Sequence, residues 1–161
     1  MEYEGKVKYD PDSGKFTWLV SSHKNKAGDI CGSINKYGYV CFNVNRKRIR
    51  AHRLAWFLFY GWMPDKSLDI DHKNRNKADN RIRNLRLATR SQNSWNCNVN
   101  VNNASGFRGV CWHKKYNKWV ARVHINRKTV FYGQFDSFEA ACSAVKMKRK
   151  EIYGDFSGAD S

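Results

Sequence analysis

The chain has 161 residues, enough for one ordinary domain or two small ones. Thirty lysines and arginines against 14 acidic residues give a formal net charge of +16, and 14% of the residues are aromatic. This combination favours a polyanionic partner, nucleic acid in particular, over a merely solvated basic surface. The charge is no detachable tail, because residues 1–96 hold 19 basic and 9 acidic residues and residues 97–161 hold 11 and 5.

The five cysteines indicate a reducing compartment. They are odd in number and include no C-x-x-C pair, which argues against a zinc knuckle and against a disulfide framework. The most apolar run, residues 54–60, is too short to span a bilayer, and no signal-peptide core is present. We therefore expect reduced thiols, no membrane partner and a cytoplasmic location.

Residues 1–50 are predicted to form β-hairpins. Turn residues separate three short alternating segments, at residues 16–19, 32–34 and 39–44. A helix is then expected from about Arg53 to Tyr60, because the Gly-Trp-Met-Pro sequence that follows is a stop signal.

A basic cluster lies between the second hairpin and this helix. Arg46, Lys47, Arg48 and Arg50 are typical of contacts to phosphate groups, although an exposed hairpin tip has the same composition. His52, at the strand–helix junction, is either a structural residue or one that faces DNA or a catalytic cleft. The sequence alone leaves both alternatives open.

The most informative stretch begins at Asp71 and His72, which close a predicted short strand. A polar loop at residues 73–79 and a strand-like segment at 84–87 follow, and Thr89 is typical of the N-cap of a helix. Strand, loop, strand and helix would bring together one imidazole, one carboxylate and two amides: His72, Asp71, Asn84 and Asn93.

These groups are sufficient for metal-assisted cleavage of a phosphodiester bond. A neutral histidine can take a proton from water when its imidazole is held in the right orientation. A divalent ion bound by Asp71 and Asn93 could stabilise the charge that develops on the scissile phosphate and the leaving oxygen. Carboxylate and amide oxygens suit Mg²⁺ or Mn²⁺ rather than zinc. Asn84 would orient the loop that carries His72.

At these residues the sequence resembles the HNH nuclease family, in its phage and intron-homing branch. The shared segments are Ile70–Asn76, Asp79–Arg81, Asn84–Arg86, Ala88–Thr89 and Gln92–Asn93. The resemblance implies a ββα-metal fold with His72 as general base, Asn84 as the structural asparagine, and Asp71 and Asn93 as ligands of one Mg²⁺ or Mn²⁺ ion per active site. In one departure, Asn93 stands where the name-giving last histidine is expected, a substitution familiar in this branch.

Residues 97–106 are polar, nearly uncharged and without helical period, which predicts a linker. Beyond it, Lys118–Ile125 alternates between apolar and basic residues, and Asp136–Glu139 is a capping box that opens a helix. Three strands with one helix on their apolar face would leave the other face basic and open. Such a sheet fits the major groove of DNA.

This second segment resembles the plant ethylene-response-factor (APETALA-type) DNA-binding domain. The shared residues include Phe107–Val110, Trp112, Lys118–Trp119, Tyr132–Asp136 and Glu139–Ala141. Cys111, Arg122 and His124 depart from the family pattern, so the resemblance implies the docking surface without its base preference. With the basic cluster and Arg75 of the polar loop, the predicted DNA contacts are Arg46, Arg48, Arg50, Arg75, Arg108, His113, Lys118, Arg122, His124, Thr129 and Phe131.

We therefore predict an α+β protein with an HNH nuclease domain (1–96), a linker (97–106) and a DNA-binding domain (107–161) of three antiparallel strands on one helix. The predicted function is metal-dependent, homing-endonuclease-like cleavage of double-stranded DNA by a monomer or homodimer, in the host cytoplasm if the protein is phage-encoded. The alternative is a non-catalytic DNA-binding regulator with a decayed nuclease fold. The intact set of Asp71, His72, Asn84 and Asn93 argues against decay.

Overall fold

The structure is a computed structural model that describes residues 5–97, 99–100 and 102–157. The chain divides into two compact units, unit 1 (Met1–Thr89) and unit 2 (Arg90–Ser161). Both combine antiparallel β-structure with few helices, which confirms the predicted α+β class. Within the described ranges, no helix has the length and apolar character needed to cross a membrane.

In its described residues, 5–89, unit 1 contains three small sheets and one α-helix. Its elements are β1 (Val7–Tyr9), β2 (Phe16–Trp18), β3 (Ser33–Ile34), β4 (Val40–Val44), β5 (Lys47–Arg50), α1 (Ala51–Tyr60), β6 (Leu68–His72) and β7 (Leu85–Thr89). The sheets pair β1 with β2, β3 with β4 with β5, and β6 with β7, all antiparallel.

The β4–β5 hairpin leads directly into α1 and places the basic cluster. Asn45 and Arg46 both have positive φ, at 51° and 63°, as a two-residue hairpin turn with the right-handed twist requires. The helix begins at Ala51, two residues before the predicted start, because Ala51 and His52 are buried along with Leu54. It ends at Tyr60, and the left-handed conformation of the C-cap residue Gly61 allows its N–H to bond the carbonyl of Phe57.

The β6–β7 hairpin positions the most informative residues of the sequence. Its register pairs Asp71 with Arg86 and His72 with Leu85. A 3₁₀ turn at Ile82–Asn84 leads back into β7. Ile70 and Leu85 join the core of unit 1, which also contains Phe16, Val44 and Leu54. The hairpin is therefore fixed by burial at the end where Asp71 and His72 lie.

Unit 2 consists of a short helix and the predicted three-stranded sheet on one long helix. Its elements are α2 (Arg90–Trp95), β8 (Val110–His113), β9 (Lys118–Ile125), β10 (Lys128–Phe135) and α3 (Phe138–Tyr153). The strand order is β10-β9-β8, and Ala121, Val123, Ala141 and Val145 form the centre of its core. Ser137 caps α3, its side chain accepting a hydrogen bond from the Ala140 N–H.

The boundary between the units differs from the predicted one. It falls between Thr89 and Arg90, ahead of the expected linker at 97–106. The reason is Trp95, whose large ring packs against the core of unit 2 and draws α2 with it. Part of the expected linker is also folded: Ser105 Oγ donates to the carbonyl of Val110, and Asn103 Nδ2 donates to that of Phe107.

Candidate active site

His72 ends β6 in a buried position, with only 4% of its surface exposed. Its Nε2 lies 3.4 Å from Oδ1 of the buried Asn80. Burial lowers the pKa of His72 below its ordinary value, although the contact with Asn80 and the neighbouring carboxylates act in the opposite direction. The imidazole is therefore neutral at neutral pH, the state in which it can accept a proton.

Asp71 is the neighbouring carboxylate, and it is paired with a cation. Arg86, its partner across the hairpin, donates through Nε to Oδ2 at 2.9 Å, and its Nη2 lies 2.8 Å from the same oxygen. The Asp71 side chain is 7% exposed and that of Arg86 is 12% exposed. The guanidinium thus balances a carboxylate that burial alone would penalise.

Asn84 closes the loop that follows His72. Its Oδ1 accepts from the N–H of Asn74 at 3.0 Å, and its Nδ2 donates to the carbonyl of Asp79 at 2.8 Å. Its own carbonyl accepts from the N–H of Lys73 at 2.8 Å. These bonds fasten the loop at three points, as an orienting residue would, and the catalytic assignment of Asn84 stays a prediction.

The β1–β2 hairpin supports this loop from outside. Tyr9 donates its hydroxyl to the carbonyl of Asn80 at 2.7 Å, and the N–H of Ile82 donates to the carbonyl of Pro11 at 3.0 Å. Gly14 approaches so closely that a Cβ there would lie 2.4 Å from the backbone nitrogen of Arg81. Only glycine fits this contact, and its φ of 72° also favours glycine.

His52, which the sequence left open, faces the His72 ring. The two ring centroids are 5.0 Å apart and edge to face, and the Tyr39 ring lies 5.1 Å from His52. Burial lowers the pKa of His52 to about 3, so this second imidazole is also neutral at neutral pH. Sequence reasoning missed Asn80 and Arg86 as neighbours of the site, because only the hairpin register and the loop path bring them there.

Asn93 lies on α2 in unit 2, while Asp71, His72 and Asn84 lie together in unit 1. Asn93 is half-buried. Within the described ranges, no three His, Cys, Asp or Glu side chains converge into a metal-binding group.

The predicted DNA contacts of unit 1 lie on its surface. Arg46, Arg48 and Arg50 are exposed on and after the β4–β5 turn. A cavity of about 430 Å³ opens there, lined by Arg48, Ile49, Arg50, Arg53, Leu54, Phe57 and Met63. In the described part of the chain, no carboxylate pairs with Arg48, Arg50 or Arg53. Arg75 is half-buried in the loop after His72, with its N–H bonded to the His72 carbonyl.

Those of unit 2 fall into two groups. Arg122, His124 and Thr129 are exposed on the sheet, with Arg122 over the Tyr132 ring and Thr129 Oγ1 3.2 Å from His124 Nδ1. The other four already contact protein groups: His113 stacks on Tyr116, Lys118 pairs with Asp136, Phe131 packs against the core, and Arg108 bonds the carbonyls of Ser94 and Trp95. Their contacts with DNA stay predictions.

Residues 50–95 match an HNH endonuclease family. Protein 3.8 of Escherichia phage T7 is 32% identical over 110 residues, which are 68% of this chain and 89% of that protein. An uncharacterized HNH endonuclease, L560, of Acanthamoeba polyphaga mimivirus is 28% identical over 124 residues, 76% of this chain and 63% of that protein. A solved structure, described as DNA binding and cleavage by the HNH homing endonuclease I-HmuI, contains a chain that is 23% identical in sequence to this one, with a TM-score of 0.45. The alignment covers 94% of this chain and 87% of that chain.

Proposed function

Because the chain belongs to the HNH endonuclease family, we propose that it hydrolyses phosphodiester bonds of double-stranded DNA in a metal-dependent reaction, in the manner of a homing endonuclease. The observation that carries this proposal is the pair at the end of β6. A buried neutral imidazole stands next to a buried carboxylate, at the strand end that leads into the loop fastened by Asn84 at three points.

His72 is the general base in this proposal. If Nε2 donates to the Asn80 oxygen at 3.4 Å, Nδ1 is the nitrogen that can take a proton from the attacking water. The bonds of Asn84 to the loop backbone hold this imidazole in place. The proton leaves the water as its oxygen attacks the phosphorus, and the 3′ or 5′ oxygen of the sugar is the leaving group.

The donor set fits a hard divalent cation. Asp71 and Asn93 offer a carboxylate and an amide oxygen, and Mg²⁺ is commonly held by one or two carboxylates together with substrate phosphates and water. When bound, one Mg²⁺ or Mn²⁺ ion per site supplies charge stabilisation at the phosphate and the leaving oxygen.

Double-stranded DNA is the proposed partner, bound through basic residues of both units. Arg46, Arg48, Arg50 and Arg75 of unit 1 would contact phosphates, and the exposed face of Arg122, His124 and Thr129 would dock on the duplex. In this proposal the protein acts as a monomer or a homodimer on DNA, in the host cell cytoplasm if it is phage-encoded. Affinity should fall steeply with salt, because lysine and arginine contacts release condensed counterions.

One observation favours a second candidate, a DNA-binding regulator that no longer cuts. Arg86 already neutralises Asp71, so the carboxylate has less residual attraction for a metal ion. The same pair also holds the buried carboxylate in a fixed orientation before DNA arrives, which a nuclease needs. Only a cleavage assay separates these two functions.

The test is the conversion of supercoiled plasmid to open circles with Mg²⁺. Wild-type protein and His23→Ala, which removes an exposed histidine, should nick the plasmid, and His72→Ala should not. Excess EDTA should stop the wild-type reaction without unfolding the protein. Equal nicking by His72→Ala, or robust activity in EDTA, would overturn the mechanism. A wild-type protein that binds duplex without nicking it would favour the regulator.

A further inference from the structure

Helix α2, which carries the proposed metal ligand Asn93, is only six residues long. A helix of this length is not stable by itself, since isolated helices shorter than about 12 residues are marginal in water. Its position therefore depends on tertiary contacts.

Two arginines from separate parts of unit 2 hold the C-terminal end of α2. Arg108 donates through Nη1 to the carbonyl of Trp95 and through Nη2 to that of Ser94, both at 3.1 Å. Arg149, on α3, donates to the same Trp95 carbonyl at 3.2 Å. The last carbonyls of a helix have no intrahelical partner and carry partial negative charge, so two cations are favourable there. The helix has no basic residue of its own in its last turn.

A stack of two aromatic rings, Trp95 and Tyr153, holds the same end of the helix against the core of unit 2. The Trp95 ring lies parallel to that of Tyr153, with centroids 4.4 Å apart and planes inclined by 10°. Tyr153 is buried, and its hydroxyl donates to the carbonyl of His124 at 2.7 Å. His124 lies on β9, in the sheet proposed to dock on DNA. A chain of direct contacts thus runs from the DNA-facing sheet to the helix of Asn93, entirely inside unit 2.

We infer that Arg108, Arg149, Trp95 and Tyr153 are positioning residues that hold α2, and with it the proposed metal ligand Asn93, in place. Metal binding through Asn93 then requires a folded unit 2. The inference rests on the proposed nuclease function. It gives Arg108 a role different from the DNA contact that the resemblance implies, and it gives Arg149 a role where the sequence suggested none.

The experiment compares Arg108→Ala and Arg149→Ala with Lys150→Ala in the full-length protein. Lys150 is a matched control, since it is exposed on the same helix as Arg149 and its replacement by alanine also removes one positive charge. Three quantities are measured: the Mg²⁺ concentration for half-maximal plasmid nicking, the affinity for a labelled duplex in EDTA, and the hydrogen exchange of the α2 amides.

Both arginine variants should raise the required Mg²⁺ concentration about tenfold or more, the usual effect of losing a group that orients a metal ligand. They should also speed exchange of the α2 amides, while duplex affinity falls no further than in Lys150→Ala. The inference is overturned if Arg108→Ala weakens duplex binding beyond the control and leaves the Mg²⁺ dependence and α2 exchange unchanged. Arg108 would then be a DNA contact.

A second pair of variants guards against loss of folding. Trp95→Phe keeps an aromatic plane over Tyr153 and should stay close to the wild-type Mg²⁺ dependence, whereas Trp95→Leu should shift it. Equal Mg²⁺ dependence of the two would contradict the inference. If the wild-type protein does not nick DNA at any Mg²⁺ concentration, the proposed function fails, and α2 exchange in the arginine variants still decides whether unit 2 holds the helix.

Discussion

The loop after His72 and the helix that carries Asn93 are fixed by opposite means. The loop is fastened mostly to itself, through bonds between Asn84 and residues 5 to 10 positions away. Helix α2 is held by residues far along the chain: Arg108 is 13 positions from Trp95 and Arg149 is 54. The loop after the proposed base is therefore held mainly by its own bonds, with support from the β1–β2 hairpin, whereas the helix of the proposed metal ligand is held by distant residues of unit 2.

The largest expected effect lies on the loop side of this comparison. His72→Ala removes the proposed general base and should lower the cleavage rate by about 10²–10⁴-fold with little change in duplex affinity. Single-turnover cleavage of an end-labelled duplex measures this rate. His23→Ala is the control. If His72→Ala lowers the cleavage rate no more than Arg108→Ala and Arg149→Ala do, the two regions do not differ in their contribution to the rate.

Asn84→Ala should destabilise unit 1 by about 1–3 kcal/mol, because it leaves the N–H of Asn74 and the carbonyl of Asp79 without their partner. Hydrogen exchange resolved by peptide should show faster opening of residues 73–84 and no change in α2. Asn43→Ala, at an exposed position of β4, is the control. Faster exchange in α2 would show that the two regions are not independently held.

Tyr153→Phe should have a smaller effect on the other side. It removes the hydrogen bond to the His124 carbonyl and keeps the stack on Trp95, so unit 2 should lose about 0.5–1.5 kcal/mol. Urea unfolding followed by Trp fluorescence measures the change. The Mg²⁺ concentration that Tyr153→Phe needs for half-maximal nicking should equal that of the wild type. If it rises as much as in Arg149→Ala, the Tyr153 hydroxyl, and not the ring stack, holds α2 in place.

The smallest effect concerns acid stability of the loop. Hydrogen bonds from Arg81 lower the pKa of Asp79 from 3.8 to about 2, so the folded state favours the carboxylate. The stability that Asp79 contributes is present above pH 3.8 and is lost as the pH falls towards 2. Urea midpoints of wild type and Asp79→Asn should therefore differ most above pH 4 and converge near pH 2. A gap that widens in acid would refute this role.

Local patterns made much of each region predictable. The turn and strand signals predicted the β3–β4 hairpin, and the capping box at Asp136–Glu139 marked the start of α3, although the N-cap is Ser137 and not Asp136. Periodicity predicted the three-stranded sheet on one helix, because alternation and helical spacing depend only on neighbours in sequence. The spaced set of Asp71, His72 and Asn84 also lies within one hairpin, so short-range reasoning sufficed to place these three together.

Other features depend on pairings that no local pattern contains. Arg86 faces Asp71 because of the β6–β7 register, and His52 meets His72 because α1 packs beside β6. The composition of residues 97–106 suggested a boundary at that segment. The boundary lies earlier, because the Trp95 ring stacks on that of Tyr153, more than fifty residues away. Composition describes what a segment can do alone, and here a distant aromatic ring determines the unit to which α2 belongs.

The contacts of Arg108, Arg149 and Tyr153 with Trp95 also limit how such a chain can evolve or be engineered. In a nuclease built from a cleavage domain and an independent recognition domain, the recognition domain can be replaced without affecting cleavage. In this protein a replacement would also have to present two guanidinium groups and an aromatic plane to the last turn of α2. Chimeras joined after Trp95 should therefore cut only when the grafted module restores these contacts. Exchange of the exposed sheet residues proposed to contact DNA, such as Arg122, should instead change the target site and leave cleavage intact.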